Sequence, residues 1–296
     1  MKFILLSDIH ATSQTPTLRK DNILETFKIK FEFILQQAQK NNAVILQAGD
    51  FFHKSRDWEI MQAIISLLKK YKKTKIYAVM GQHDLYFRSK TAPNILSILN
   101  HANYIKRLNN VPCLISDVNI YGCSWKEKIP TPKSGFNILV IHESISDYEL
   151  FPGSNYMSPR IFVRKNKGWD LILIGDIHRQ FIYQKGKTLL INTGPMLRLD
   201  ANQYNMSHKP AVFIYDTKKG GIIKKIIIPH KKGRIILDRN KIKQENKINK
   251  IMNEFAEKLK ENDHKKNISF KKNLEHYLKT NRKKQSKIIA IINEYY

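Results

Sequence analysis

Seven residues able to hold a metal ion stand just after short apolar runs of this chain: Asp8, His10, Asp50, Gln82, His142, Asp176 and His178. Mixed carboxylate and imidazole donors suit Mn, Fe or Zn, and a carboxylate shared by two ions lets them sit about 3.5–4 Å apart. Asp50, in Gly49-Asp50-Phe51-Phe52-His53, is the candidate for that shared carboxylate. Such a pair polarises a phosphoryl group and activates bound water near neutral pH, so the reaction class is phosphoester hydrolysis without a covalent intermediate. His83 is not needed as a ligand and is free to donate a hydrogen bond or proton to the phosphate or the leaving oxygen. Asp84 beside it could fix its tautomer. Each segment alone also reads as structure, since an Asp after a strand commonly bonds its own backbone in a turn. Their recurrence at five strand ends is what chance explains poorly.

The elements that must position these residues are apolar runs at 3–6, 44–48, 76–80, 137–141 and 171–174, read as buried strands. In an extended segment residues i and i+2 project to one side, which pairs Asp8 with His10 and Asp176 with His178. A helix over about 21–40 carries Ile23, Phe27, Phe31, Ile34 and Ala38 on one face. A second begins at an Asp57 N-cap and buries Met61, Ile64, Ile65 and Leu68. Strand, crossover helix and strand in succession make an α/β fold, and a doubly wound sheet would bring the ends of the first three ligand-bearing strands together. Runs near 189–191, 212–215 and 222–228 lack crossover-length helices between them and point to an antiparallel edge or a second sheet. The first domain spans 1–230. From 231 to 296 lysine is dense and apolar residues recur at helical spacing, as in Ile248, Ile251, Met252, Phe255 and Leu259. Such helices dock on their own domain or in a partner groove.

Lys and Arg number 52 against 25 Asp and Glu, a net charge of +27, which favours a polyanion such as nucleic acid as partner. Arg19, Arg56, Arg88, Lys90 and Arg198 read as loop residues on the active-site side that could contact phosphates, or as ordinary solvated surface. Two cysteines, Cys113 and Cys123, have no metal-binding or catalytic company, which fits a reducing compartment. The apolar start is too short for a secretory signal and no stretch approaches a membrane span, so a soluble cytoplasmic protein is expected, in host cytoplasm if the source is viral.

Taken in order, the segments resemble the calcineurin-like metallophosphoesterases, whose pattern is Asp-x-His, Gly-Asp, Gly-Asn-His-Asp/Glu, a lone His and Gly-His-x-His. The resemblance covers about residues 1–228 and is strongest to the SbcD-type nuclease subunits of double-strand-break repair complexes. It is carried by Gly-Asp-Phe-Phe-His-Lys-Ser-Arg at 49–56, Gly-Asp-Ile-His-Arg-Gln-Phe at 175–181 and Asn-Thr-Gly-Pro-Met-Leu-Arg-Leu-Asp at 192–200. The resemblance implies a two-sheet sandwich flanked by helices, in four αββα layers, with a small C-terminal helical segment. It implies that Asp8, His10 and His178 bind one ion, Gln82, His142 and Asp176 a second, with Asp50 bridging, while His83 assists the leaving group and His53 orients substrate. It further implies two Mn²⁺ ions per chain, DNA exonuclease and endonuclease activity, a homodimer, and an SMC-like ATPase partner gripped by the C-terminal helices. Gln82 stands where that family has Asn, and Asp176 where it has His. The harder oxygen donors favour Mn²⁺ or Mg²⁺, or the second ion is weakened. The DNA-capping domain usual in such nucleases is absent or reduced. A phosphodiesterase or phosphatase of small or protein substrates, and a catalytically impaired DNA-binding scaffold, are the alternative readings.

Overall fold

The computed structural model describes residues 1–148 and 156–241. The chain divides into two compact units, Met1–Asp238 and Arg239–Tyr296. The amphipathic helices expected beyond residue 241 lie outside the described residues. In the first unit the order is β1 (Lys2–Leu6), α1 (Ile23–Lys40), β2 (Ala43–Ala48), α2 (Trp58–Lys70), β3 (Ile76–Val79), a 3-10 turn (Tyr86–Arg88), α3 (Ile95–His101) and β4 (Lys106–Arg107). There follow β5 (Cys113–Ile115), β6 (Val118–Cys123), β7 (Phe136–His142), α4 (Pro159–Lys165), β8 (Leu171–Gly175), β9 (Phe181–Lys185) and β10 (Thr188–Asn192). The unit ends with α5 (Gln203–Ser207), β11 (Ala211–Asp216), β12 (Gly221–Ile227) and α6 (Gly233–Ile236).

Two mixed six-stranded sheets stack, one ordered β12-β11-β1-β2-β3-β4 and the other β5-β6-β7-β8-β10-β9. The unbroken apolar runs have a physical cause, because each central strand is buried on both faces. Phe3, Leu5, Val44 and Leu46 point inward to meet Ile138, Val140, Leu171 and Leu173 of the other sheet. Their sequence neighbours Ile4 and Ile45 point outward onto Phe27, Phe31 and Ile64 of α1 and α2. Behind the second sheet, Leu139, Ile141, Ile172 and Ile174 pack on Phe162 and Val163 of α4. The alternation thus builds helix, sheet, sheet and helix in turn. The two-sheet sandwich that the resemblance implies is what forms: β1, β2 and β3 lie side by side in one sheet, which brings their donor-bearing ends together as expected, and β7 and β8 lie in the other. Of the late strands, β10 joins the second sheet, while β11 returns antiparallel to β1 near the edge of the first.

Local signals set the helix starts. Asn22 caps α1 through its side chain, accepting from the Glu25 amide, and Asp57 caps α2, accepting from Ile60. In the parallel ladder Leu6 stands opposite Gln47 and Gln47 opposite Ala78. The loops that follow β1, β2 and β3 therefore leave the sheet side by side.

Candidate metal centre

His142 is the last residue of β7, and the other donors follow just past the ends of strands. Asp8, His10 and Asp50 have φ of 46°, 49° and 51°, and Asp176 has φ of 97°. Left-handed backbone is uncommon outside glycine and is visited most readily by Asp, Asn and His. The extended i, i+2 geometry expected for Asp8 and His10 is therefore replaced by a turn, since β1 ends at Leu6 and the chain coils after it. Neighbouring loops hold it there: the Asp8 amide donates to Gly49 O at 3.2 Å, and the His10 amide to Asp50 O at 3.0 Å.

Three donor groups result among the described residues, one of them His10 with His53 and His83 at the mouth of the centre. One atom each from Asp8, His10 and His178 lie within 4.8 Å of one another, as do atoms of Asp8, Asp50 and His142. Asp50 stands between these two groups, its Oδ2 3.8 Å from His10 Nε2 and 3.5 Å from His142 Nε2. Gln82 completes the second side: Oε1 lies 2.8 Å from His142 Nε2, while its amide nitrogen donates to Asp176 Oδ1 at 2.7 Å. The other Asp176 oxygen accepts from the Ser144 hydroxyl, and the Asp176 amide donates to Asp8 Oδ1 at 3.0 Å. Asp176 thus lies beside the donor groups with both oxygens engaged. Ser144 escaped the sequence reading; its position two residues past His142 was the available signal.

The electrostatics are those of a cation site. Burial pushes the His142 pKa down, yet Asp50, with Asp8 and Asp176 beyond it, lifts it to about 10. Burial likewise works to raise Asp50, but His142 and His10 hold its carboxyl well below the usual range. Asp8 is pushed up to about 6 by burial. Burial, with His178 alongside, holds His10 well below its ordinary value, so its imidazole is neutral. His10 Nε2 nevertheless faces His178 Nε2 at 2.8 Å. Asp8 Oδ2 and His10 Nδ1 are buried with no hydrogen-bond partner among the described residues. Converging ring nitrogens and an orphaned carboxylate oxygen fit divalent metal ions, which take neutral imidazole and carboxylate together.

His83 is exposed above this floor. Its ring stacks on His53 with centroids 5.3 Å apart, and its Nδ1 lies 3.1 Å from the His53 carbonyl. A carbonyl only accepts, so Nδ1 carries hydrogen and Nε2 is presented outward. The expected tautomer partner, Asp84, is elsewhere. Its buried carboxylate accepts the amides of Phe51, Phe52 and Gly81 at 3.2, 2.8 and 2.9 Å. Consecutive loop residues point apart, and the His53 carbonyl takes the role assigned to Asp84.

The basic residues divide. Arg56 lies over the Tyr86 ring at 3.4 Å, Arg88 over Trp125 at 5.6 Å, and Lys90 donates to Lys126 O; all three are exposed near the His83 turn. Arg19 and Arg198 are buried and are not solvated loop residues. Arg19 is 4% exposed and forks onto Asp21, and Arg198 is 1% exposed. Among the described residues no helix is long and apolar enough to cross a membrane.

A model of the family described as calcineurin-like phosphoesterase matches residues 1–180. No curated protein matches the chain. Solved structures similar to it include the following two. A crystal structure of a Thermus thermophilus protein is 11% identical at a TM-score of 0.48, covering 77% of this chain and 99% of its own. An archaeal phosphodiesterase is 15% identical at 0.41, covering 77% of this chain and 100% of its own.

Proposed function

The chain belongs to the calcineurin-like phosphoesterases, metal-dependent enzymes of phosphoester hydrolysis, and from that premise we propose that it is a DNA nuclease that loads two Mn²⁺ ions. The observation that carries the metal chemistry is the Asp50 carboxylate poised between His10 and His142. Asp8, His10 and His178 would hold one ion and Gln82, His142 and Asp176 the other, with Asp50 shared. Bound there, the ions supply Lewis acidity to a phosphoryl oxygen and lower the pKa of coordinated water. The chain's own groups do the rest. The turns after β1, β2 and β3 fix donor positions through backbone hydrogen bonds. His83, its Nδ1–H anchored on His53 O, presents Nε2 to the leaving oxygen, and as imidazolium, with hydrogen on both ring nitrogens, it would pass the Nε2 proton and revert to the neutral ring. His53 backs that ring and keeps it over the centre.

DNA as substrate is supported by the net charge of +27 and by Arg56, Arg88 and Lys90 around the His83 turn. The proposal includes a homodimer working in the cytoplasm with an SMC-like ATPase, which residues 231–296 would engage. The test is Mn²⁺-dependent cleavage of linear duplex and single-stranded DNA by wild type and His83→Ala. Cleavage by wild type and its loss in the variant is expected. Hydrolysis of a generic phosphodiester with DNA left intact would move the assignment to a small-substrate phosphodiesterase. Activity on neither would favour a scaffold. Counting bound Mn²⁺ separates these further: two ions per chain are expected, and one at saturation overturns the second site.

A further inference from the structure

At α5, α6 and the loops just before β11 and just after β12 lies a second strongly cationic site, apart from the donors above. Arg198 is the floor of a cavity of about 400 Å³ whose walls include His208, Lys209, His230, Lys232 and Arg234. Among the described residues no Asp or Glu lines it. Arg198 is 1% exposed, with Nη1 donating to His208 O at 3.4 Å and Nη2 to Lys231 O at 2.5 Å. Its Nε is buried with no partner among the described residues. The nearest acidic influence is Asp21, which Arg19 already engages through both Nε and Nη2. A buried guanidinium facing only carbonyls leaves its charge uncompensated, and such a charge is costly unless an anion completes it. Lys209, Lys232 and Arg234 are exposed at the rim, so the field at the mouth has the same sign.

The cavity has a definite place relative to the metal centre. β11 runs antiparallel to β1, with Phe213 opposite Leu5, so its first residue stands at the end of the sheet where β1 delivers Asp8. The loop between the two sites is continuous: the Met196 amide donates to Asp8 O at 3.1 Å, and Arg198 follows two residues later. The cavity is lined by His208 and Lys209 just before β11 and His230 just after β12, so it lies toward this same end of the sheet.

We propose that this cavity is a phosphate-binding site, in which Arg198 and the rim cations Lys209, Lys232 and Arg234 receive a backbone phosphate of the substrate strand away from the bond being cut. The existence of the site stands on the cavity alone; its assignment to the substrate strand rests on the nuclease reading. Arginine suits the task because its planar donors match phosphate oxygens.

The experiment is calorimetric titration of full-length, chelator-treated protein with inorganic phosphate at fixed ionic strength, so that no metal-bound phosphate contributes. Saturable one-site binding is expected. It should weaken at least about tenfold in Arg198→Gln and in the double variant Lys209→Glu/Arg234→Glu. The second variant changes only exposed side chains and keeps the test valid if Arg198→Gln fails to fold. Absence of saturable binding in wild type, or unchanged binding in the rim variant, overturns the site. Displacement of phosphate by a single-stranded oligonucleotide is expected; phosphate that stays bound against it overturns the strand as its source. DNA cleavage is read in a separate assay, so loss of this site and loss of the nuclease reading are told apart.

Discussion

Asp84 accepts three backbone amides from two loops. A buried carboxylate that gathers amides after β2 and β3 fixes where Asp50 and His83 sit, although it meets no substrate. Asp84→Asn swaps one acceptor oxygen for a donor facing amide donors, and should lower unfolding free energy by about 2–4 kcal/mol in denaturant titration. His83→Ala, by contrast, removes an exposed ring. Turnover should fall by about 10²–10⁴ while bound metal per chain is unchanged, as metal analysis beside kinetics would show. The left-handed turns at Asp8, His10 and Asp50 add a third test, since each non-glycine residue there costs about 1 kcal/mol. Asp8→Gly and Asp8→Ala should lose metal equally, with the glycine variant the more stable by about that amount. The types and order of the donors were legible in the sequence because chemistry restricts them to few residues. The partner of His83 was not, because adjacency along a loop does not specify which way a side chain points.

At the scale of elements, apolar runs and caps were the readable part. Buried strands alternate between two cores, and Asn22 and Asp57 cap as short polar residues do. The helix α4 was missed although Ser158 followed by Pro159 is a start signal; only seven residues long, it shows little periodicity. The burial of Arg19 and Arg198 was hidden too, because it arises when distant loops fold over them. Sheet packing also explains Gly175. A Cβ there would come within 2.0 Å of Ala48 O and 2.9 Å of His142 Nδ1, so the close approach of β8 to β2 needs a bare backbone. Gly175→Ala should destabilise the fold by about 1–3 kcal/mol and weaken metal binding. It forces apart the pair in which His142 Nδ1 lies 2.8 Å from Ala48 O. Thermal melts with and without Mn²⁺ would show both effects.

For the whole molecule, the excess of positive charge has a cost inside as well as a use outside. Lys30 is 2% exposed, donates to Met196 O at 2.7 Å, and has its pKa lowered from 10.5 to about 7 by burial, with Arg198 and Arg19 adding to it. Between pH 7 and 10.5 the unfolded chain therefore holds more protons than the folded one, and stability gains from Lys30 as pH rises. From about pH 7 to 9 that contribution is about 2 kcal/mol. Chemical denaturation at both pH values should show it in wild type and not in Lys30→Met. The centre also spans two layers, with Asp8, His10, Asp50 and Gln82 delivered by one sheet and His142, Asp176 and His178 by the other. Between the layers lies a core of side chains, and a slip of one residue along a strand is about 3.3 Å. Such a slip exceeds the tolerance of any coordination sphere. Ion release thus works as a gauge of shear: a load that drags one layer past its neighbour empties the centre while every strand is still paired within its own sheet.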